Sequence, residues 1–318
     1  MTTRFSMDAR HSALVSLGRA LRDQGYRFVA VTPATHRRIL DRPRPTTLQS
    51  VFGWNLPFEK DALPSGLFDL LGESGALEQE RGQYRSTVRF ATLADLLFAH
   101  SGFPTTARDA VFFGPDTYRF ARLLKASLAE MAARSRPMIV DVGSGSGAGG
   151  IYASRLLANR VDLVLADINP QALAFSAVNA AINEVPSVRI VSSDVLAGID
   201  DEIDAVIANP PYLIDEERRL YRHGGGALGI ALSLRILEQG LDRLVPGGRL
   251  ILYTGTPVIG GIDVFFESAE PLLKLRAGQF RYEEIDPDVF GEELETRAYA
   301  HADRIAVVGL VADKRTTE

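Results

Sequence analysis

An apolar segment that runs directly into a series of glycines constrains the fold of this chain more than any other feature. Residues 137–151 read Pro-Met-Ile-Val-Asp-Val-Gly-Ser-Gly-Ser-Gly-Ala-Gly-Gly-Ile, with glycines at 143, 145 and 147. Glycine is needed where a chain leaves a strand by a sharp turn beside a ligand, because a β-carbon would occupy the ligand's space. The segment therefore predicts a strand, a ligand-binding loop and a helix.

The chain beyond residue 116 continues this alternation of strands and helices. Seven short apolar runs carry the strand pattern, and helical periodicity lies between them. This alternation is typical of βαβ units, which form a mainly parallel sheet. We therefore predict an α/β, Rossmann-like domain with seven strands over residues 111–318. The predicted strands are residues 138–142, 161–166, 188–192, 205–208, 250–254, 280–285 and 305–311.

The first 110 residues predict a smaller, mostly helical domain that covers a substrate or acts as a lid. Three helices are predicted, and a hairpin over residues 76–85 with its turn near Gly82 follows them. A helix followed by a hairpin resembles a winged-helix module, which binds DNA, dimerises or covers a substrate. The predicted helices are residues 12–24, a second beginning at Thr32-Pro33, and residues 64–77; the Pro-rich residues 42–45 predict a loop, and 102–104 and 114–115 mark the domain junction.

Charge differs in sign between these two parts. The first 115 residues contain 14 Arg and Lys against 11 Asp and Glu, a surplus of +3, whereas the whole chain carries −5. A surplus of +3 is weak for a nucleic-acid surface, and the predicted helix at residues 67–73 is acidic. We interpret the one basic cluster as a solvated face; it contains Arg37, Arg38, Arg42 and Arg44.

Composition excludes several kinds of site. The chain has no cysteine, which excludes disulfides, a thiol nucleophile and thiolate metal ligands. The first six residues lack a signal-peptide core, and no apolar run is long enough to span a bilayer. We expect a cytoplasmic protein with no membrane partner and no metal. Histidines 11, 36, 100 and 301 lack metal-ligand spacing and are expected to be structural.

A glycine loop alone does not identify the cofactor, because nicotinamide and flavin enzymes carry a similar loop. Carboxylates at the ends of the predicted strands distinguish between these cofactors. Asp141 would repel a pyrophosphate but accept hydrogen bonds from a cationic amino acid, which favours S-adenosylmethionine. Asp167, 22 residues after Gly145, has the spacing of a carboxylate that binds ribose hydroxyls in either cofactor. Asn169 caps the next helix, and Asp194 follows the third strand, where it can bind an adenine amino group.

The fourth strand predicts the chemistry. Residues 203–212 end in Asn209-Pro210-Pro211-Tyr212, at the carboxyl edge where open α/β sheets bind ligands. Two prolines withhold their amide donors, so the side-chain carbonyl of Asn209 and the Pro210 carbonyl are left as acceptors. Acceptors hold the N–H groups of a planar nitrogen while its lone pair faces an electrophilic methyl group, and Tyr212 can stack on the planar group.

These two motifs together resemble class I S-adenosylmethionine-dependent methyltransferases, in particular the HemK/PrmC-like small-domain group that methylates glutamine amides. Residues 113–117, Phe-Gly-Pro-Asp-Thr, are similar to that group's Pro-Arg-Pro-Asp/Glu-Thr segment, and the resemblance covers residues 112–255. Gly114 replaces the arginine, which puts one cofactor contact in doubt, and the hairpin departs from that group's helical N-terminal domain. The residues predicted to bind the cofactor are Pro115, Thr117, Asp141, Gly143, Ser144, Gly145, Gly147, Asp167, Ile168, Asn169, Asp194, Val195 and Asn209.

Residues 221–226, Tyr-Arg-His-Gly-Gly-Gly, leave two interpretations open. Three glycines favour a mobile lid, with Arg222 or His223 near the substrate, whereas a solvated connection before a helix at residues 227–244 fits equally well.

The sequence thus predicts methyl transfer to a planar nitrogen, with a protein glutamine side chain as the leading acceptor. An exocyclic amine of adenine or guanine in nucleic acid, or a small metabolite, is an alternative acceptor. Two further classes stay open: an NAD-dependent dehydrogenase, and a non-catalytic regulator whose N-terminal part contacts DNA.

Overall fold

The computed structural model describes residues 5–128 and 136–316. Its N-terminal region contains four α-helices, a short 3₁₀ helix at Lys60–Ala62 and two antiparallel hairpins, β1 with β2 and β3 with β4. The elements are α1 (Ala9–Asp23), α2 (Pro33–Leu40), α3 (Leu48–Phe52), α4 (Ser65–Glu73), β1 (Leu77–Glu80), β2 (Gln83–Ser86), β3 (Val88–Leu93) and β4 (Leu96–Ser101).

Local capping decides where these helices differ from the predicted bounds. The helix predicted from residue 12 begins at Ala9, because Asp8 accepts a hydrogen bond from the amide of His11 (3.0 Å). The helix predicted to reach residue 77 ends at Glu73, because the chain turns through Gly75 (φ +71°) into β1. The start of α2 after Thr32 and the turn at Gly82 are confirmed. The β3–β4 hairpin was not predicted.

A central sheet follows the N-terminal region. Its strands are β5 (Met138–Val142), β6 (Asp162–Asp167), β7 (Val188–Ser192), β8 (Ile203–Ala208), β9 (Leu244–Ile259), the short β10 (Ile262–Asp263), β11 (Ala277–Asp286) and β12 (Arg304–Lys314). The helices are α5 (Pro115–Leu128), α6 (Ala148–Leu156), α7 (Pro170–Ile182), α8 (Ala231–Arg243), α9 (Val264–Arg276) and a 3₁₀ helix at Gly291–Glu295.

The strand order of the sheet is β11-β12-β9-β8-β5-β6-β7, with β10 paired to β9. The strands from β5 to β9 on this path are parallel neighbours, whereas β12 is antiparallel to both β9 and β11. The predicted α/β, Rossmann-like fold with seven main strands is therefore confirmed, with β12 as its one reversed main strand. The predicted helix at residues 227–244 begins later, at Ala231, because Gly229 takes a left-handed φ of +83°.

Alternate residues of the central strands pack on opposite faces of the sheet, as the two-residue period of a strand requires. Ile139 and Ile207 belong to a core that includes residues of α5 and α6. Val140 and Val206 belong to a second core with residues of α8 and α9. Both faces are buried, so the carboxyl edge of the sheet is the place left for a ligand.

The N-terminal region is joined to the sheet through α7. Asn179 and Asn183, one turn apart on α7, each accept from a backbone amide of β4 and donate to the same residue's carbonyl. The partners are Ala99 (2.7 and 2.9 Å) and Leu97 (3.0 and 2.8 Å). Phe175 and neighbouring residues of α7 also share one core with α1 and β3. The two predicted domains are thus in direct contact, while the role of the first as a cover or lid stays a prediction.

Among the described residues, no helix is both long and apolar enough to span a membrane. The expectation drawn from the start of the chain rests partly on residues 1–4, which lie outside the described residues.

Candidate active site

The turn between β5 and α6 has the conformation that the glycine pattern predicts. Gly143, Gly145 and Gly147 have φ angles of +68°, +54° and +75°, a region that L side chains rarely adopt. The amides of Gly143 and Ser144 both donate to the carbonyl of Ala166 at the end of β6 (2.9 and 3.0 Å). The loop is therefore held at the carboxyl edge of the sheet.

Asp141 lies beneath this loop at the end of β5. It is 2% exposed, lines the cavity described below, and accepts a hydrogen bond on Oδ2 from the Gly150 amide (2.7 Å). The pKa of Asp141 is raised to about 7, mainly by burial; the hydrogen bond from Gly150 opposes the rise, and the nearby Asp167 carboxylate adds to it. A carboxyl group in this environment is stabilised in its ionised form by a cation placed beside it.

Asp167 connects the loop after β5 and the loop after β6 by hydrogen bonds. Its Oδ2 accepts from the Gly145 amide and its Oδ1 from the Asn169 amide, each at 2.9 Å. Burial raises the pKa of Asp167, and the backbone hydrogen bonds oppose the rise. Asn169 caps α7 as predicted, since its side-chain oxygen accepts from the Gln171 amide (3.0 Å). Both predicted residues line the cavity.

Beyond β7, Asp194 forms an ion pair that the sequence did not predict. Its Oδ2 accepts from Nη1 of Arg235 on α8 (3.0 Å), and both residues line the cavity. Ile168 is 60% exposed at the same edge and adds an apolar surface. Val195 is buried and completes this wall with a φ of +54°.

The end of β8 brings Asn209, Pro210, Pro211 and Tyr212 to the cavity. The Asn209 side chain makes no hydrogen bond with any residue of 5–128 or 136–316. Polar side chains at partly buried positions normally have a partner. Since it lines the cavity at the ligand-binding edge, the Asn209 amide is available to a bound molecule.

Tyr212 is held by a buried network. Its hydroxyl donates to Asp116 Oδ2 (2.5 Å), and the Tyr253 hydroxyl donates to Asp116 Oδ1 (2.9 Å). Arg119 pairs with the same Oδ1 (3.1 Å). A β-carbon at Gly255 would lie 2.1 Å from the Tyr212 ring, so the ring lies flat against that glycine. Burial, followed by the Asp116 charge, raises the pKa of Tyr212, which stays protonated.

The connection between β8 and α8 is packed against this motif. The Leu213 amide donates to the Arg222 carbonyl (3.1 Å), and the Gly224 amide returns to the Leu213 carbonyl (2.8 Å). A β-carbon at Gly224 would lie 1.9 Å from the Gly229 carbonyl oxygen, so only glycine fits. Tyr221 stacks on Phe112 with 5.6 Å between ring centroids. The segment predicted as a lid or a solvated connection forms a wall of the cavity in this structure.

These elements enclose one cavity of about 650 Å³, a volume typical of small-molecule sites. We distinguish two parts of its lining. The strand-end half is formed by the carboxyl ends of the strands and contains Asp141, Gly143, Ser144, Gly145, Asp167, Ile168, Asn169, Asp194, Val195 and Arg235. The arginine half is formed by four separate segments and contains Pro33, Arg37, Phe103, Thr105, Thr106, Arg108, Phe112, Arg218, Arg219, Tyr221, Arg222, Phe290 and Glu292.

Most of the predicted site residues line this cavity, and two do not. Pro115 is the first residue of α5, and Gly147 caps α6 with its α-carbon toward Leu165 and Ile151 of the core. Thr117 does line the cavity, with its hydroxyl 3.4 Å from the Gly114 amide. Gly114 is closely packed, since a β-carbon there would lie 2.5 Å from the Phe112 ring.

Sequence reasoning missed the residues whose partners lie far away in the chain. Asp116 was present in the segment 113–117, but its partner Tyr212 is 96 residues away. The sequence pattern places Arg37 on a solvated face, yet it lines the cavity. Arg108 and Arg218 belong to no recognisable sequence motif. Only proximity in the fold identifies them.

The predicted structural role of two histidines is supported by their burial. His36 Nε2 lies 2.9 Å from the Trp54 carbonyl, and its Nδ1 faces Arg89 (3.3 Å). Burial and the Arg89 charge lower the pKa of His36 to about 4, so the ring is neutral. His100 is fully buried against Phe113. Within the described residues, no group of three or more His, Asp or Glu side chains is placed to hold a metal ion.

Residues 110–257 match the family model described as Methyltransferase small domain. Release factor glutamine methyltransferase of Deinococcus radiodurans is 29% identical over 140 residues, which cover 41% of this chain and 50% of that protein. The protein of the same name from Lactococcus lactis is 30% identical over 142 residues, covering 41% and 51%. Human Methyltransferase HEMK2 is 28% identical over 148 residues, covering 44% and 68%. The chain thus spans about half the length of the two bacterial relatives.

Proposed function

Residues 110–257 match a methyltransferase small domain similar to that of HemK-like proteins, and from this premise we propose that the protein transfers a methyl group from S-adenosylmethionine to the amide nitrogen of a protein glutamine. The observation that carries the proposal is Asn209. Its amide has no hydrogen-bond partner among the described residues, and it lines the cavity beside the glycine loop. The names of the relatives support glutamine as the acceptor.

The strand-end half fits the proposed cofactor in chemistry. Asp141 offers a buried carboxyl group whose ionised form a cationic amino acid would stabilise. Asp167 and Asp194 supply acceptors for hydroxyl and amino groups, and exposed Ile168 supplies an apolar surface for a base. The bound cofactor would supply an electrophilic methyl group that is activated by a sulfonium charge.

The residues after β8 would orient the acceptor. The Asn209 side-chain oxygen and the Pro210 carbonyl are acceptors for the two N–H bonds of a primary amide, which leaves the nitrogen lone pair directed away from them. Burial, followed by the Asp116 charge, raises the pKa of Tyr212 and keeps it neutral, and the hydrogen bond to Asp116 holds its hydroxyl in place. Alignment and exclusion of water are the contributions required, because the donor is already activated.

The strand-end geometry also bears on the alternative of a dinucleotide enzyme. Asp141 lies buried under the glycine loop, where its ionised form would repel a pyrophosphate. Isothermal titration with S-adenosylmethionine and with NAD separates the two. We expect binding of the first, and binding of NAD alone would overturn the proposal.

Methyl transfer itself is tested with labelled donor and fractionated cell extract. Protein, RNA and small-molecule fractions from matched cells are incubated with the enzyme, and the labelled protein is digested for mass spectrometry. We expect label on a glutamine side chain; label confined to RNA or to a metabolite would contradict the acceptor. The same cells, fractionated, test the cytoplasmic location that we include in the proposal.

A further inference from the structure

Three arginines of the arginine half form no ion pair with any residue that the structure describes. Arg37 lies on α2, Arg108 between β4 and α5, and Arg218 between β8 and α8, and all three are exposed. Their guanidinium groups make no hydrogen bond or ion pair with any residue in 5–128 or 136–316. Three segments that are distant in the chain therefore each bring one free cation to the same cavity.

The other two arginines of this half are already paired with carboxylates. Arg219 is bound to Asp215, and Arg222 to Glu293 and Asp215. Glu292 is the one acidic lining residue of this half among the described residues, so it offsets one of the three free cations. A cleft lined by surplus charge of one sign concentrates ligands of the opposite sign.

We propose that the arginine half binds an acidic segment of the protein acceptor, in which Asp or Glu residues flank the glutamine that is methylated. This inference rests on the proposed function. The carboxylates of such a segment would pair with Arg37, Arg108 and Arg218 while the glutamine reaches Asn209. Arginine suits this task because its planar guanidinium binds carboxylates in a bidentate manner.

The surrounding surface favours a short peptide over nucleic acid. Away from the cavity the N-terminal region presents acidic side chains in two places: the β1–β2 hairpin contains Glu78 and Glu80, and a second surface depression is lined by Glu59, Asp61 and Asp69. A nucleic-acid backbone needs a run of cations across a surface, whereas the whole chain has a net charge of −5. Three cations around one opening match two or three carboxylates near a single side chain.

The test uses three synthetic 12-residue peptides with one central glutamine. They differ only in the four flanking positions, which are Asp, Asn or Lys, and a 12-nucleotide RNA serves as a fourth probe. Binding to the full chain is measured by fluorescence anisotropy in the presence of S-adenosylhomocysteine. We expect the Asp peptide to bind about tenfold more tightly than the Asn peptide, with the preference falling as salt is raised.

Matched variants locate the effect. Arg37→Gln, Arg108→Gln and Arg218→Gln together should remove the preference for Asp while S-adenosylmethionine binding by calorimetry stays unchanged. Arg38→Gln with Arg42→Gln, two exposed arginines that do not line the cavity, should leave the preference intact.

Four results would overturn the inference: no binding of any peptide, equal binding of the Asp and Asn peptides, an equal loss in the Arg38 and Arg42 variant, or tighter binding of the RNA. Failure of the proposed function is distinguishable from these, because it appears as absent S-adenosylmethionine binding or absent glutamine methylation. Methylation without a charge preference would reject the acidic segment alone.

Discussion

The two halves of the cavity are built in opposite ways. The strand-end half comes from consecutive βα units, and two of its carboxylates, Asp141 and Asp167, accept hydrogen bonds from backbone amides of the same edge. The arginine half comes mainly from α2, the β4–α5 connection and the β8–α8 connection, and three of its arginines have no partner among the described residues. A site whose geometry is fixed by its own sheet is suited to one constant ligand, whereas the other half is suited to selecting an acceptor.

Asn209 lies where the two halves meet, and its removal tests whether they act together. We expect Asn209→Ala to lower the rate of methyl transfer by about 10²-fold, because the acceptor nitrogen loses its alignment. Cofactor affinity should fall less than the rate does, because Asn209 is only one of the predicted cofactor contacts and the carboxylates of the strand-end half are intact. Radiolabel transfer and calorimetry measure the two quantities. Asn159→Ala, outside the cavity lining, is the matched control; equal rates for Asn209→Ala and wild type would break the comparison.

The arginine half depends on how the N-terminal region docks on α7. Asn183→Ala leaves the buried amide and carbonyl of Leu97 without their side-chain partner. We expect the free energy of unfolding to fall by about 2–4 kcal/mol, since each unpaired buried group costs about 1–3 kcal/mol. Urea denaturation measures the change. An unchanged midpoint would mean that these hydrogen bonds do not hold the region in place.

Tyr212 provides a smaller test of how the acceptor position is held, because its hydroxyl donates a hydrogen bond to Asp116 of α5. Tyr212→Phe removes the hydrogen bond that holds the ring beside the acceptor position, and we expect the methyl-transfer rate to fall about tenfold. Tyr282→Phe breaks a similar bond to Asp263 (2.6 Å) outside the cavity lining and should leave the rate unchanged. Similar losses in both variants would indicate general destabilisation.

Asp141 should make the affinity of the strand-end half for S-adenosylmethionine depend on pH. Its pKa is about 7 in the free protein because it is buried, and a cationic ligand favours the ionised form. Binding should therefore release a proton, and affinity for S-adenosylmethionine should rise about threefold from pH 6.5 to 7.5. Calorimetry in buffers of different ionisation enthalpy measures the proton. Asp141→Asn should remove this dependence of affinity on pH, while any dependence that comes from titration of the ligand itself persists. An identical pH dependence in the variant would mean that a group other than Asp141 causes it.

The hairpin that the sequence did not predict lies where tertiary contacts replace local signals. The β3–β4 hairpin turns through Ala94 with φ +55° and contains no glycine, so its turn lacks the marker that Gly82 supplies in the β1–β2 hairpin. Its β4 strand pairs on one side with asparagine side chains of a helix. By contrast, α2 was predicted correctly because Thr32 and Pro33 are themselves the helix start.

Local sequence patterns account for most of the strand-end half. The glycines of residues 143–147, the carboxylates at the ends of β5 and β6, and Asn209 after β8 each belong to a short motif at the end of one strand. Motifs of this length can be recognised from neighbouring residues alone. Parallel strands then bring their carboxyl ends to one edge without further information.

The arginine half and the hydrogen bonds that join Asp116 to Tyr212 and Tyr253 depend on the tertiary structure. Arg37 and Arg218 are 181 positions apart, and Asp116 meets Tyr212 and Tyr253 through the packing of α5 on the sheet. A charged residue on a helix has the same local pattern whether it faces solvent or a cavity. Its surroundings are set by which surfaces the buried core brings together, and that depends on the whole fold.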